Sequence, residues 1–156
     1  MVREIVLRPP EEGRVALVDD EDFERVSQLV WYFHPRGYAH RVHPSVFMHR
    51  FILGLSRGDP HVDHANQDGL DNRRSNLRFA DHSQNMANRG VPRGAKSSRF
   101  KGVCWDTTRG KWRAQIQPQG RSVTLGYFLT EEEAAVAYNQ AAPGFFGEFA
   151  FLNEVK

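Results

Sequence analysis

The sequence predicts an α+β protein made of two small units, and three observations predict it. Residues 61–89, HVDHANQDGLDNRRSNLRFADHSQNMANR, read as strand, polar loop, strand and helix. Residues 99–153 hold three strand-like runs followed by one well-signalled helix, the pattern of a three-stranded antiparallel sheet packed on a helix. Between them, GVPRGAKSS is rich in Gly, Pro, Ser and basic residues and has no hydrophobic period, so it reads as a linker. The expected divisions are therefore 1–90, a basic linker over 91–98, and 99–153.

Composition bounds the class. A hydrophobic content of 40% with 26% charged residues is ordinary for a soluble globular chain of 156 residues. No apolar run approaches the ~20 residues of a membrane span, and the opening MVREIVLRPPEEGR lacks the apolar stretch of a signal peptide. A single cysteine, Cys104, excludes an internal disulfide and a multi-cysteine zinc cluster, and is in keeping with a reducing cytosol. The net charge of +2 hides an asymmetry. Acids gather at Glu11, Glu12, Asp19 to Asp22 and Glu24, and again at Glu131 to Glu133. Between Arg89 and Arg121 lie Arg93, Lys96, Arg99, Lys101, Arg109, Lys111 and Arg113 against Asp106 alone. Basic residues interleaved with aromatics suit a phosphate-binding surface, and a merely solvated basic face is the plain alternative.

Taken in order, RVALV (14–18) reads as a short strand. DDEDFERVSQLVW follows as a helix, with acids at its start and apolar residues at Phe23, Val26, Leu29 and Val30. WYF, YAHRV and VFMHR, separated by HPRG and HPS, read as strands of a small antiparallel meander. FILGL is a helical turn or core segment leading into residues 61–89. The spacing of His34, His40, His43 and His49 matches no metal-ligand pattern. Of the four, His49 is the one expected near the active site or DNA.

Residues 61–89 carry the chemistry. Asp63 and His64 precede a polar loop, Asn76 opens the second strand, and Asp81 with Gln84 has the spacing of a helix capping box. His82 and Asn85, three apart, share a helix face. Oxygen donors such as Asp63 and Asn85 can hold a hard cation with positions left for water and phosphate. With an ordinary pKa of about 6.5, His64 is mostly neutral at neutral pH and can take a proton from an attacking water. Asn76 can hydrogen-bond the histidine or its loop. Neighbouring strand residues point to opposite faces, so Asp63 and His64 can serve one site only if the strand bends or ends there.

VDH (62–64), NQDGLDNRRSNLR and HSQN (82–85) resemble the HNH endonuclease motif, especially in phage and intron-encoded homing endonucleases with a ββα-metal (His-Me finger) fold. The resemblance implies Asp63 and Asn85 as ligands of a divalent metal, Mg2+ with Mn2+ as an alternative. It also implies His64 as general base and Asn76 as the middle Asn of the motif. Some families end the motif with His, which makes His82 a rival to Asn85.

In the second unit, RFKGVCWD, KWRAQIQP and RSVTLGYF are the strand-like runs. TEEEAAVAYNQAA is the helix, with Thr130 and Glu133 as a capping box and Pro143 as its stop. Ala134, Ala137, Tyr138 and Ala141 form its packing face. Trp112, Ala114 and Ile116 alternate with Arg113, Gln115 and Gln117, so one set faces the helix and the other forms a polar, basic surface. KGV, WRAQI, LGYF, TEEEAAVAYNQAA and GEFAFLN resemble the Apetala-type (ethylene-response-factor) DNA-binding domain, whose sheet enters the major groove. By that match Lys101, Arg109, Gln115, Gln117 and Thr124 occupy DNA-contact positions, with Arg113 and Arg121 beside them. Trp105 and Trp112 are expected in the core rather than as stacking platforms.

Together these readings imply a metal-dependent HNH homing-type endonuclease, acting in the cytoplasm of a bacterial host or a phage-infected cell. It would nick or cut double-stranded DNA at a site selected partly by its C-terminal domain, as a monomer or a homodimer. The alternatives are a DNA-binding regulator with a decayed nuclease site, and a restriction-type or non-specific nuclease.

Overall fold

The computed structural model describes residues 1–9, 13–91 and 97–156. Most of the expected linker, residues 92–96, lies outside the described residues. The chain divides into two compact units, Met1–Ala80 and Asp81–Lys156, and mixes small antiparallel sheets with helices. Among the described residues no helix is long and apolar enough to cross a membrane.

The first unit opens with β1 (Val2–Val6), paired antiparallel with β2 (Val15–Asp19). Sequence reasoning found β2 and missed β1, whose alternation buries Ile5 alone. Helix α1 (Asp20–Ser27) begins on Asp20, Glu21 and Asp22, acids that suit a helix N-terminus. It stops earlier than its apolar spacing suggested. The Val26 carbonyl accepts from the Leu29 N–H at 3.1 Å and from the Trp31 indole Nε1 at 3.0 Å, which turns the chain out of the helix.

The expected meander is present as β3 (Tyr32–His34), β4 (Tyr38–Arg41) and β5 (Val46–Phe47). MHR, however, is helical rather than extended: α2 runs Met48–Ile52, because Met48, His49 and Ile52 then fall on one buried face. β6 (His61–His64) pairs antiparallel with β7 (Leu77–Ala80). Ile5, Leu7, Ala16, Val18, Val26, Trp31, Ala39, Met48 and Ile52 form the core, with Leu70 and Leu77 packed against it.

In the second unit, α3 (His82–Asn88) starts on the expected capping box. Asp81 accepts from the Gln84 N–H at 2.7 Å, and Gln84 accepts from the Asp81 N–H at 2.8 Å. β8 (Val103–Asp106), β9 (Lys111–Ile116) and β10 (Val123–Phe128) form an antiparallel sheet with β9 in the middle. The long helix α4 (Glu131–Phe146) covers one face of this sheet and starts on the Thr130–Glu133 capping box. Pro143 does not stop α4. The helix runs through it and ends at Gly147, whose φ of 54° suits glycine and whose N–H bonds the Pro143 carbonyl.

The buried face of α4 is Ala134, Ala135, Tyr138 and Ala142, rotated from the expected one because Ala137 and Ala141 are half-buried. Trp112 packs on the core formed by Phe100, Val103, Ala114, Ala134 and Ala135. Trp105 lies edge-on to Trp112 at 5.2 Å and stays 41% exposed, so it caps that core instead of filling it. Asn153 ties the tail down: it exchanges bonds of 2.7 and 3.0 Å with the Lys101 backbone and of 2.7 and 2.8 Å with Asn139.

Small residues set the depth of this packing. Gly102 has a φ of 75°, and a Cβ there would meet the Tyr138 ring and lie 2.5 Å from the Gln115 carbonyl oxygen. Gly102→Ala is therefore expected to destabilise the protein by more than about 2 kcal/mol, read from the urea unfolding midpoint. A loss no larger than that of an exposed Gly110→Ala control, which shares a positive φ but has open space, would show that the Tyr138 clash is not felt.

Candidate active site and nucleic-acid interface

His64 is the last residue of β6, so the strand ends where one site would require it to. Its side chain lies in the interior, with the residue only 4% exposed. His49 stands edge-on to it, with ring centroids 5.1 Å apart, and Tyr38 lies 5.7 Å from each of the two rings. His49 in turn stacks on Phe47 at 5.6 Å. The Nε2 of His64 faces the Oδ1 of Asn72 at 3.4 Å.

Burial, the largest influence, pushes the His64 pKa below the ordinary value, while Asn72, Asp63, Asp68 and Asp71 act in the opposite direction. Burial also drives His49 down to about 3, aided by His64 and Arg50. Both imidazoles are thus neutral at neutral pH, and a neutral ring is what a general base needs. The Nδ1 of His49 is buried without a hydrogen-bond partner among the described residues.

Asp63 is also buried, and its environment differs from that of His64. It lies opposite Arg78 in the β6–β7 register, and Arg78 donates from Nε (2.9 Å) and Nη2 (2.8 Å) to Oδ2. The register partner of His64 is Leu77. Asn76 acts on the loop rather than on the histidine. Its Oδ1 accepts from the Asn66 N–H at 3.0 Å, and its Nδ2 donates to Asn66 Oδ1 at 2.9 Å and to the Asp71 carbonyl at 2.7 Å.

The loop is then fastened outward. Leu17 N–H bonds the Leu70 carbonyl, and Asn72 N–H bonds the Leu17 carbonyl, both at 2.8 Å. Asp71 takes the Arg73 guanidinium at 2.6 and 2.7 Å, which holds its carboxyl below the usual range. The structure therefore gathers Asp63, His64 and Asn76 in the first unit. Asn85, half-buried, and its rival His82, exposed, lie on α3 in the second unit.

Among the described residues, Asp19, Glu21 and Asp22 have the spacing of a cation cage. Arg74 is seated there instead, with its N–H on Asp19 at 2.7 Å and its Nε 2.9 Å from Glu21 and 2.7 Å from Asp22. Arg25 adds a second guanidinium on Asp22 at 2.7 Å. This cluster is a brace between α1 and the loop.

On the sheet, register partners share a face, so Cys104, Arg113 and Tyr127 line up on the side away from α4, next to Gln115 with Thr124 and Asp106 with Lys111. Arg113, Gln115 and Thr124 are thereby brought together. Arg109 and Arg121 are exposed in the turns flanking β9, and Gln117 is exposed just beyond its end. The Arg109 guanidinium lies 4.6 Å over the Tyr127 ring.

Lys101 is elsewhere. Its ammonium donates to the carbonyls of Met86 (3.1 Å), Ala87 and Arg89 (2.5 Å), at the C-terminal end of α3. A cation there complements the helix dipole. Burial lowers its pKa to about 8. Spacing gave no signal for this role, nor for Asn72 and Arg78, because each depends on a partner brought close only by folding.

The AP2 domain family matches residues 98–143. An uncharacterized HNH endonuclease of Acanthamoeba polyphaga mimivirus is 33% identical over 150 residues, which is 92% of this chain and 77% of that protein. A dehydration-responsive element-binding protein of Oryza sativa subsp. japonica is 45% identical over 67 residues, 42% of this chain and 20% of that protein. An AP2-like ethylene-responsive transcription factor of Arabidopsis thaliana is 35% identical over 81 residues, 52% of this chain and 23% of that protein. No solved structure matches.

The depressed pKa of His49 has a consequence for stability. Its folded value of about 3 lies below the ordinary 6.5, so the unfolded chain takes up a proton that the folded chain refuses. Stability should therefore fall as pH drops from about 6.5 towards 3. His49→Phe keeps a ring against Phe47 and removes the titration, so its urea midpoint should decline less between about pH 7 and about pH 4. Parallel declines in the two proteins would contradict this.

Proposed function

The chain belongs to the HNH endonuclease family and carries an AP2 domain over residues 98–143, and from that premise we propose that it is a metal-dependent DNA endonuclease of the homing type. The observation that carries the reading is His64: a neutral imidazole kept from bulk water, at the end of a strand whose preceding residue is the carboxylate Asp63. In this proposal residues 1–90 form the nuclease domain around the catalytic stretch 61–89, as a ββα-metal unit. Residues 91–98 are a linker, and 99–153 bind double-stranded DNA.

His64 accepts the proton of the attacking water, and Asn76 keeps the loop in the shape that presents it. The donors assigned to the metal, the carboxylate of Asp63 and the amide oxygen of Asn85, are hard oxygens of the kind that suit Mg2+ or Mn2+. Arg78 donates from Nε and Nη2 to Oδ2 of Asp63, so Arg78 orients the carboxylate. When bound, a divalent ion supplies charge stabilisation at the phosphate and the leaving oxygen.

Arg113, Gln115 and Thr124 form the face that reads DNA, since Arg and Gln suit bidentate contacts with guanine and adenine. Arg109, Gln117 and Arg121 flank that face. Lys101 we assign to α3 rather than to phosphate, on the strength of its three carbonyl partners. With one site per chain, a monomer nicks and only a dimer cuts both strands together.

The hold of Arg78 on Asp63 also favours a second reading, a DNA-binding regulator whose nuclease site has decayed. Supercoiled plasmid separates the two. The nuclease should yield nicked circles with Mg2+ or Mn2+ and none with chelator, and His64→Ala should slow nicking by about 10²–10⁴-fold, the usual contribution of a general base, without loss of plasmid binding. Binding with no cleavage under either metal would establish the regulator. Gln115→Ala should change base preference, while Arg121→Ala should weaken binding evenly and flatten its salt dependence. An unchanged sequence preference in Gln115→Ala would remove that residue from readout.

A further inference from the structure

Asn72 is fully buried and belongs to neither the metal donors nor the sheet face. Its backbone is fixed by the 2.8 Å bond to the Leu17 carbonyl, and its amide has two neighbours. The Nδ2 donates to the Leu70 carbonyl at 3.1 Å, and Oδ1 faces His64 Nε2 at 3.4 Å. A flipped amide would set its oxygen against the Leu70 carbonyl, acceptor against acceptor, in a buried place where an unmade bond costs about 1–3 kcal/mol. The orientation is therefore set by Leu70, and it offers His64 an acceptor only. A neutral imidazole has one N–H and one lone pair, so an acceptor opposite Nε2 puts the proton on Nε2.

We infer that Asn72 is a positioning residue that fixes His64 as the Nε2–H tautomer, placing the proton-accepting lone pair on Nδ1. The inference rests on His64 being the base of the proposed hydrolysis. In that step Nδ1 takes a proton from the attacking water, whose oxygen keeps the electron pair and forms the new bond to phosphorus. The bond to the leaving oxygen breaks, and its pair goes with that oxygen. Asn72 Oδ1 remains a partner for the Nε2–H of the imidazolium so formed. Tyr38 and His49 pack against the ring, and His49 brings no positive charge. Asp63, Asp68 and Asp71 all favour the protonated ring.

The test is a long-range proton–nitrogen correlation spectrum of the full chain with labelled histidine, metal-free and at neutral pH. The His64 signal is identified by its loss in His64→Gln. It should show Nε2 protonated and Nδ1 unprotonated. Asn72→Leu should shift the ring towards the other tautomer and slow nicking by at least about ten-fold, within the range of general-base catalysis, at unchanged plasmid binding. Asn72→Asp keeps an acceptor opposite Nε2, so it should retain the tautomer and nick faster than Asn72→Leu. It also serves if the leucine variant does not fold. A wild-type His64 protonated on Nδ1 overturns the inference, as does a leucine variant that changes tautomer yet nicks at the full rate. The expected spectra with no nicking by any protein would leave the tautomer standing and remove the nuclease reading instead.

Discussion

The first unit depends on keeping a polar loop satisfied away from water. Asp71, Asn72 and Asn76 are all buried, and every bond one of them fails to make costs about 1–3 kcal/mol. They meet this demand from one another and from fixed backbone. Asn76 closes the loop on Asn66 and Asp71, Asp71 takes Arg73, and Asn72 spans Leu70 and His64. A fully satisfied buried network has a single arrangement, which is why polar residues can hold an imidazole as firmly as a packed core holds a leucine. The apolar residues beside it, Leu70 and Leu77, fasten the same segment to the core around Trp31 and Met48.

The second unit solves a similar problem differently. Its sheet is covered by a helix rich in alanine, so the close approach at Gly102 and Tyr138 replaces interdigitated large side chains. With α4 on one face, the other is left to Arg113, Gln115 and Thr124, where polar groups can stay hydrated until a partner displaces the water. Lys101 belongs to neither face. The carbonyls at the end of α3 lack partners within the helix, and Lys101 supplies one ammonium to three of them.

What the sequence made legible is mostly what is local. Both capping boxes occur where Asp81–Gln84 and Thr130–Glu133 put them, since a cap spans four residues and needs nothing else. Strand alternation in KWRAQI correctly separated the helix side from the polar side. The misreadings come from tertiary choices. MHR has β-like neighbours but turns helical to bury Met48, His49 and Ile52 together, and α4 continues past Pro143 because its end is set at Gly147. Asn76 was legible as a loop-holder, whereas Asn72 was one more Asn in a polar stretch. Its importance comes from Leu17 and His64, and no spacing rule connects those three.

The stitching of the loop to the start of the chain bears on when the protein becomes competent. The Arg74 N–H meets the carboxylate of Asp19, 55 residues earlier, and the Arg74 guanidinium reaches Asp22 across 52 residues. Contacts of that separation require the chain between them to be closed into a loop, at a cost in conformational entropy that local contacts do not carry. A nascent or partly unfolded chain can make strands and capped helices, but it lacks the frame that buries His64 and holds its ring. Ribosome-bound and misfolded copies are therefore without the arrangement on which cleavage would depend. The buried frame around His64 is thus a property of the closed chain and not of its local segments.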